Sequence, residues 1–422
     1  MGKKIPTSVS FNLPDGKEVT IETGKLATQA HGSVVVRIED TMILATIVSS
    51  HEPRENAAFF PLSVDYQEKY AAVGRIPGNF FRRETRLNDY EILISRLVDR
   101  AIRPLFPDGY MHDTQVILTL HSSDQRNLPD AYAALAASAA IVVSDINWNG
   151  PISEVRVAKI NGEYVVNPEK EALEGAELEI IVAATMDNVM MVEGEANECQ
   201  EADLIEAIKV GHEAIKVQCK AQLELAQLVG EAATVKRVLP EAPSSDEALA
   251  LVKEVTTDKI IAVAHGAMDK VTRKNALKAI KTELKEAAAE KGDEWLAEHG
   301  SFISAYFDKH KKATLREVVM SEKVRLDGRA TDQVRPIWTE VDYLPAAHGS
   351  AIFNRGETQA LASLTLGTKL DKKMEDTALA QTYEKFMLHY NFPALSVGEI
   401  KPMRGPGRRE VGHANLASRS LK

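Results

Sequence analysis

Residues 30–47, AHGSVVVRIEDTMILATI, return at 347–364 as AHGSAIFNRGETQALASL, with seven of eighteen positions identical. Unrelated sequence would match at roughly one, so the fixed offset marks a duplicated structural unit. The likeness runs on downstream. Val73-Gly74 returns as Val397-Gly398, Arg82-Arg83-Glu84 as Arg408-Arg409-Glu410, and Ser95-Arg96 as Ser418-Arg419. Small loop insertions account for an offset that drifts from 317 to 326. Any fold assigned to one copy is therefore constrained by the other.

Each copy reads as α/β. The β-branched runs SVVVRIED and MILATIVSS predict strands, and Leu93, Ile94, Leu97 and Val98 at helical spacing predict a helix after the first double arginine. Residues 154–166 predict a hairpin turning at Asn161-Gly162. A helix over 129–143, strands near 178–184 and 188–193, and a long helix from about 200 to 230 complete the unit. PEAPSSDEA at 240–248 reads as a linker, and the Ala, Lys and Glu rich stretch after it as an all-helical domain. The domain expectation is 1–235 for the first α/β domain, 240–320 for the helical domain and 322–422 for the opening part of a second α/β domain. Copy one continues well past Arg96, whereas copy two stops three residues past Arg419. The chain is thus expected to be a piece of a longer protein.

Composition narrows function by exclusion. With 44% hydrophobic and 27% charged residues the chain is expected to be globular, and it holds no apolar run of membrane-spanning length. We expect a cytoplasmic protein with no membrane partner. Cys199 and Cys219 lack the paired spacing of a zinc site and read as reduced structural thiols. A net charge of −10 argues against general coating of nucleic acid, so any polyanion site must be local. Two windows qualify. Residues 75–103 hold seven arginines against four acids, and 401–422 hold six basic residues against Glu410.

In PGNFFRRETR (77–86) a Pro-Gly turn precedes Phe80 and Phe81, with Arg82, Arg83 and Arg86 close behind. Arginine forks pair with phosphates while aromatic faces stack on bases without reading sequence, a combination suited to single-stranded RNA. The alternative is a buried aromatic anchor with its arginines paired to Glu84, Asp89 and Glu91. In RGPGRREVGH (404–413) flexible glycines lead into Arg408, Arg409 and a helix start carrying His413, an arrangement that favours anions. Its alternative is a surface charge cluster. That both double arginines fall at matching places in the repeat favours a site. His31 and His348 read as structural, Glu193 and Glu195 as solvated, and no carboxylate cluster of metal-binding type is evident.

These motifs resemble the polynucleotide phosphorylases, members of the RNase PH-like family. The resemblance lies in FFPLSVDYQEKYAAVGRIPGNFFRRE, SRLVDRAIRPLFP, RLDGR, AHGSAIFNRGETQALASLTLGT, and HYNFPALSVGE followed by GRREVGH. It covers essentially the whole chain and is weakest in the helical domain. It implies an RNase PH-like α/β domain, an all-α linker domain and an incomplete second RNase PH-like domain. It also implies 3′-to-5′ phosphorolysis of single-stranded RNA to nucleoside diphosphates, reversible and serving mRNA turnover, in a homotrimeric ring with further RNA-decay proteins as possible partners.

By the same resemblance Arg408, Arg409 and His413 are the catalytic candidates, while Phe80, Phe81, Arg82, Arg83 and Arg86 grip the incoming strand. Inorganic phosphate is the implied co-substrate. A Mg2+ or Mn2+ ion is implied as well, its ligands expected beyond Lys422 and none within the chain. On that basis this stretch alone is expected to be inactive. The competing readings are a non-catalytic RNA-binding ring subunit and a hydrolytic nuclease.

Overall fold

The computed structural model describes residues 5–54, 57, 59–239 and 244–422. Residues 240–243 of the expected linker lie outside them. The chain divides into two compact units, Met1–Leu239 with Thr368–Lys422, and Pro240–Gly367.

In the first unit, strands β1 (Thr7–Asn12), β2 (Glu18–Thr23), β3 (Gly32–Ile38), β4 (Thr41–Pro53), β5 (Leu62–Glu68) and β6 (His112–Ser122) make one sheet in the order β1-β2-β3-β4-β6-β5. All its pairings are antiparallel except β5 with β6. A parallel pair needs a crossover, which helix α1 (Asp89–Ile102) supplies. Helix α2 (Ala133–Val142) is AALAASAAIV, apolar on every side but Ser138, and all ten residues are buried. It lies close on the first sheet. A Cβ on Gly32 would run into the Ala140 carbonyl, so the glycine of the first AHGS is the residue that lets helix backbone approach strand backbone.

A second sheet is formed by β7 (Ser153–Ile160), β8 (Glu163–Val166), β9 (Leu178–Ala184) and β10 (Val189–Ala196) in the order β10-β9-β7-β8. The β7–β8 turn takes both Asn161 and Gly162 into positive φ, as the sequence predicts for Asn-Gly. Helix α3 (Glu201–Val229) covers this sheet, with Gly211 against Val155, Val157 and Val182, and a short α4 (Glu231–Thr234) follows. Cys219 is buried on α3, and burial pushes its thiol pKa up to about 12, which suits a structural thiol.

The core of this unit also holds charge. The Arg156 guanidinium on β7 is shared between Asp130 and Glu179, and Glu154 on the same strand accepts from the Ala134 N–H at 2.7 Å. Burial drives the Glu154 carboxyl up to about 8; the bond from Ala134 opposes this and the Asp130 charge adds to it. Glu68, at the end of β5, is likewise driven up to about 8 by burial, against its bond from Tyr66 and with help from Glu91 and Asp130.

In the second unit α5 (Asp246–His265), α6 (Lys270–Ala289) and α7 (Asp293–Glu322) pack around Leu251, Ile260, Ile280, Leu284, Ile303 and Phe307. Ser245 caps α5 and Asp269 caps α6, each accepting backbone N–H groups. The same unit contains the antiparallel sheet β11-β12-β13 (Ile337–Val341, Gly349–Arg355, Thr358–Leu364). The rest of copy two belongs to the first unit: hairpin β14–β15 (Lys373–Asp376, Gln381–Glu384) and helix α8 (Arg408–Arg419). No described helix is long and apolar enough to cross a membrane.

The duplication is visible in the register. Gly32 pairs with Ile47 and Gly349 with Leu364, the same offset on both strands. The paired histidines act alike, since His31 Nδ1 accepts from Ser49 N–H at 3.1 Å and His348 Nδ1 from Leu366 N–H at 2.8 Å. Each copy then makes a 3-10 turn, residues 70–73 or 394–397, ending at Gly74 with φ 68° or Gly398 with φ 67°.

Beyond that glycine the alignment read from the sequence needs correction. Glu91 sits in the first turn of α1, accepting from the N–H groups of Glu68 and Asn88. Glu410 occupies the corresponding place in α8, accepting from Phe392 and Gly407. The partner of Arg408-Arg409-Glu410 is therefore Asp89-Tyr90-Glu91, not Arg82-Arg83-Glu84. Arg419 correspondingly matches Arg100 rather than Arg96. Seventeen positions separate Gly74 from Glu91 and only twelve separate Gly398 from Glu410. Copy one spends its extra five residues on a longer loop, and the double arginines lie on different elements.

Candidate nucleic-acid interface

The first basic window, residues 75–103, opens with that loop, residues 75–88. Phe80 is 92% exposed and Phe81 73%, their rings edge-to-face at 5.4 Å. Two adjacent large aromatics this exposed point to a binding surface. Beneath them the backbone is fixed from within: Asn79 Nδ2 donates to the Arg83 carbonyl at 2.9 Å, Arg82 N–H donates to the Asn79 carbonyl at 3.0 Å, and Arg82 takes a positive φ of 50°.

Arg82, Arg83 and Arg86 are exposed, and the acids that could have neutralised them are engaged elsewhere. Glu84 accepts from Tyr70 N–H at 3.0 Å, Glu91 caps α1, and Asp89 lies 3.6 Å from Lys373. Burial raises the proton affinity of Glu84, but the backbone bond from Tyr70 and the charges of Lys69 and Arg83 outweigh it and hold the carboxyl below its usual range. The reading of this loop as a buried aromatic anchor with self-paired arginines does not hold. What remains is two aromatic faces among three exposed guanidiniums.

The second window is the start of α8. Glu410 turns back to bond the Gly407 N–H at 2.6 Å and the Phe392 N–H at 2.8 Å, and those two bonds hold its carboxyl below the usual range. Arg408 reaches into copy one, donating to the Val64 carbonyl at 2.5 Å and pairing with Asp65. Arg409 is exposed. His413 is exposed too, its ring edge-to-face with Tyr390 at 5.1 Å. Thus the three catalytic candidates share one helix, yet Arg408 is committed to β5.

Helix α8 packs on α1, the helix that follows the loop, and so brings arginines of the two copies together. Gly412 is the contact point, because a Cβ there would collide with the Arg96 guanidinium. Burial lowers the proton affinity of Arg96, and the nearby charges of Arg100 and Arg409 lower it further. Arg100 pairs with Glu193 and its repeat partner Arg419 with Glu195 at 3.3 Å, both acids on β10. Glu193 and Glu195 are therefore not merely solvated as expected, but hold the ends of α1 and α8. Arg96 was legible only as one arginine among seven; its place against Gly412 of α8 depends on a packing that sequence spacing does not report. Among the described residues no group of three or more His, Cys, Asp or Glu side chains is placed to hold a metal ion. These residues offer no ligand set for the divalent ion that the resemblance implies.

The geometry defines a class that comparison with known proteins identifies. Domain 1 of the 3′ exoribonuclease family matches residues 15–147 and again 333–422, its domain 2 matches 150–214, and the RNA binding domain of polyribonucleotide nucleotidyltransferase matches 247–330. The chain belongs to the 3′ exoribonuclease, or RNase PH, family, and carries its first domain twice. Among individual proteins it is similar to the polyribonucleotide nucleotidyltransferase of Bacteroides fragilis, 53% identical over 418 residues, which are 99% of this chain and 58% of that protein. Its likeness to those of Parabacteroides distasonis and Cytophaga hutchinsonii is 52% over 417 and 414 residues, 55% and 57% of their lengths. The chain thus spans a little over half the length of the curated relatives it matches.

Proposed function

We propose that this chain serves 3′-to-5′ phosphorolysis of single-stranded RNA, in which an oxygen of inorganic phosphate attacks the phosphorus of the terminal phosphodiester, the bond to the preceding nucleotide's 3′ oxygen breaks to leave a 3′ hydroxyl on the shortened RNA, and the terminal nucleotide is released as a diphosphate. The observation that carries the reading is the joining, in one compact unit, of an exposed aromatic and arginine loop from copy one with an arginine-led helix start from copy two. Attack of a phosphate dianion on an anionic diester demands fixed positive charge on both partners, and pre-placed guanidiniums supply it without reorganisation. In this reading Phe80, Phe81, Arg82, Arg83 and Arg86 hold the strand. Arg409 faces the reacting phosphates with His413 on the same helix. Arg408 supports the site through Asp65. The divalent ion implied by the resemblance finds no ligand cluster among the described residues, and no step is assigned to it. A cytoplasmic homotrimer, working with other RNA-decay proteins as the sequence resemblance implies, completes the reading.

The test is release of nucleoside diphosphates from a single-stranded RNA by this chain and by any longer product of its reading frame, with and without inorganic phosphate. Release by either that requires phosphate supports the proposal. Monophosphate release without phosphate would replace it with hydrolysis. RNA binding without release from either protein would favour the second reading, a guiding subunit, to which the commitment of Arg408 to Val64 and Asp65 already lends weight.

A further inference from the structure

We propose that Asp376 is a positioning residue for the aromatic and arginine loop, fixing its root so that Phe80, Phe81, Arg82 and Arg83 are presented in one arrangement to single-stranded RNA. The inference rests on the reading of that loop given above. The loop leaves its 3-10 turn at Gly74, and its first residue is Arg75. The Arg75 guanidinium donates to Asp376 Oδ1 at 2.7 Å and to the carbonyls of Thr377 and Ala378 at 2.9 and 3.2 Å. On the other side of Gly74 the Tyr70 hydroxyl donates to the Asp376 carbonyl at 2.6 Å, and the Arg75 guanidinium lies 5.4 Å from the centre of the Tyr70 ring. Four hydrogen bonds from the two residues flanking the loop's exit therefore converge on one turn.

That turn is itself rigid. It joins β14 to β15 and is closed by Thr377 N–H on the Ala380 carbonyl at 2.9 Å and Ala380 N–H on the Thr377 hydroxyl at 3.1 Å, with Ala378 buried. The second carboxylate oxygen of Asp376 faces the loop farther along, where a Cβ added to Gly78 would lie 2.6 Å from Oδ2. One side chain thus grips Arg75 with one oxygen and leaves only a glycine's space at Gly78 with the other. Two residues on, Phe80 projects into solvent. A loop of this length held only by its own bonds must lose conformational freedom when RNA arrives, and fixing its root beforehand removes part of that loss. The hairpin comes from copy two and the loop from copy one, so the second copy sets the geometry of the first copy's RNA contact.

The experiment is fluorescence anisotropy of a labelled single-stranded oligouridylate titrated with this chain at several salt concentrations. The proteins compared are wild type, Asp376→Ala, Asp376→Asn, the double variant Arg82→Ala/Arg83→Ala, and that double variant combined with Asp376→Ala. Asp376→Ala is expected to weaken binding several-fold in the wild-type loop and distinctly less once Arg82 and Arg83 are gone, where only the aromatic contacts still depend on the loop's arrangement, while Asp376→Asn, which keeps an acceptor for Arg75, recovers part of the loss. Gly78→Ala probes the same contact from the other side. It should weaken binding, and less so beside Asp376→Ala, where the opposing carboxylate has been removed; this pair decides the matter if Asp376→Ala alone is poorly folded. Equal losses from Asp376→Ala in both backgrounds, or none in either, overturn the proposal. Arg82→Ala/Arg83→Ala should flatten the dependence of log affinity on log salt by about 0.7 per lost phosphate contact. If it leaves both affinity and slope untouched, the reading of the loop as an RNA contact fails, and that failure is distinct from a failure of Asp376 to act through it.

Discussion

Glu154 and Glu68 show how far a residue's chemistry departs from its type once it is enclosed. Both carboxyls have folded pKa values of about 8, raised first by burial and then by neighbouring acids, against an ordinary carboxylate value in the unfolded chain. The folded state therefore holds protons that the unfolded state has already released. Their contribution to stability is complete at pH values below the ordinary carboxylate range and is lost as pH rises toward about 8, at a rate of about 1.4 kcal/mol per pH unit for each carboxyl. Glu154→Gln keeps the acceptor for the Ala134 N–H and removes the titration. Urea unfolding midpoints at pH 6 and pH 8.5 should fall for wild type and fall distinctly less for Glu154→Gln. An identical drop in both proteins would show that Glu154 is ionised in the fold.

At the scale of elements, the two AHGS motifs have identical strand registers and different surroundings. Gly32 lies under α2, where a methyl group would meet the Ala140 carbonyl, a backbone atom that cannot turn aside. At Gly349 the added carbon meets only the Leu364 side chain at 3.5 Å, an ordinary contact. Gly32→Ala should therefore cost about 2 kcal/mol or more, the range expected of forced overpacking, and Gly349→Ala less than about 1 kcal/mol. Chemical denaturation of the two variants checks the contrast, and equal losses would mean that α2 does not bear on β3 as described. The same comparison explains why the double arginines misled: a shared register ends at Gly74 and Gly398, and the loops that follow differ by five residues.

For the whole molecule, two compact units with separate hydrophobic clusters imply unfolding in more than one step. Phe307 is 1% exposed at the centre of the helical bundle, and truncating such a side chain removes about 3 to 5 kcal/mol. Phe307→Ala should lower the helical transition seen by circular dichroism. The fluorescence transition of Trp148, isolated by replacing Trp295 and Trp338 with Phe, should stay in place, since that residue packs on the first unit's core. A single coincident transition that shifts as one would show the units to be energetically coupled.

The sequence by itself determined the duplication, the α/β character of each copy, the Asn-Gly hairpin, the helical bundle and the two basic windows, because each is written in local periodicity, turn chemistry or charge. It could not say whether Phe80 and Phe81 were core or surface, since exposure depends on what packs above a loop and not on the loop's own residues. Nor could it show that Arg408 is held by Asp65, that the Arg96 guanidinium lies against Gly412, or that Asp376 grips Arg75 from 301 positions away. Those pairings join residues from opposite halves of the chain, and only the packing of copy two's hairpin and last helix onto copy one decides them.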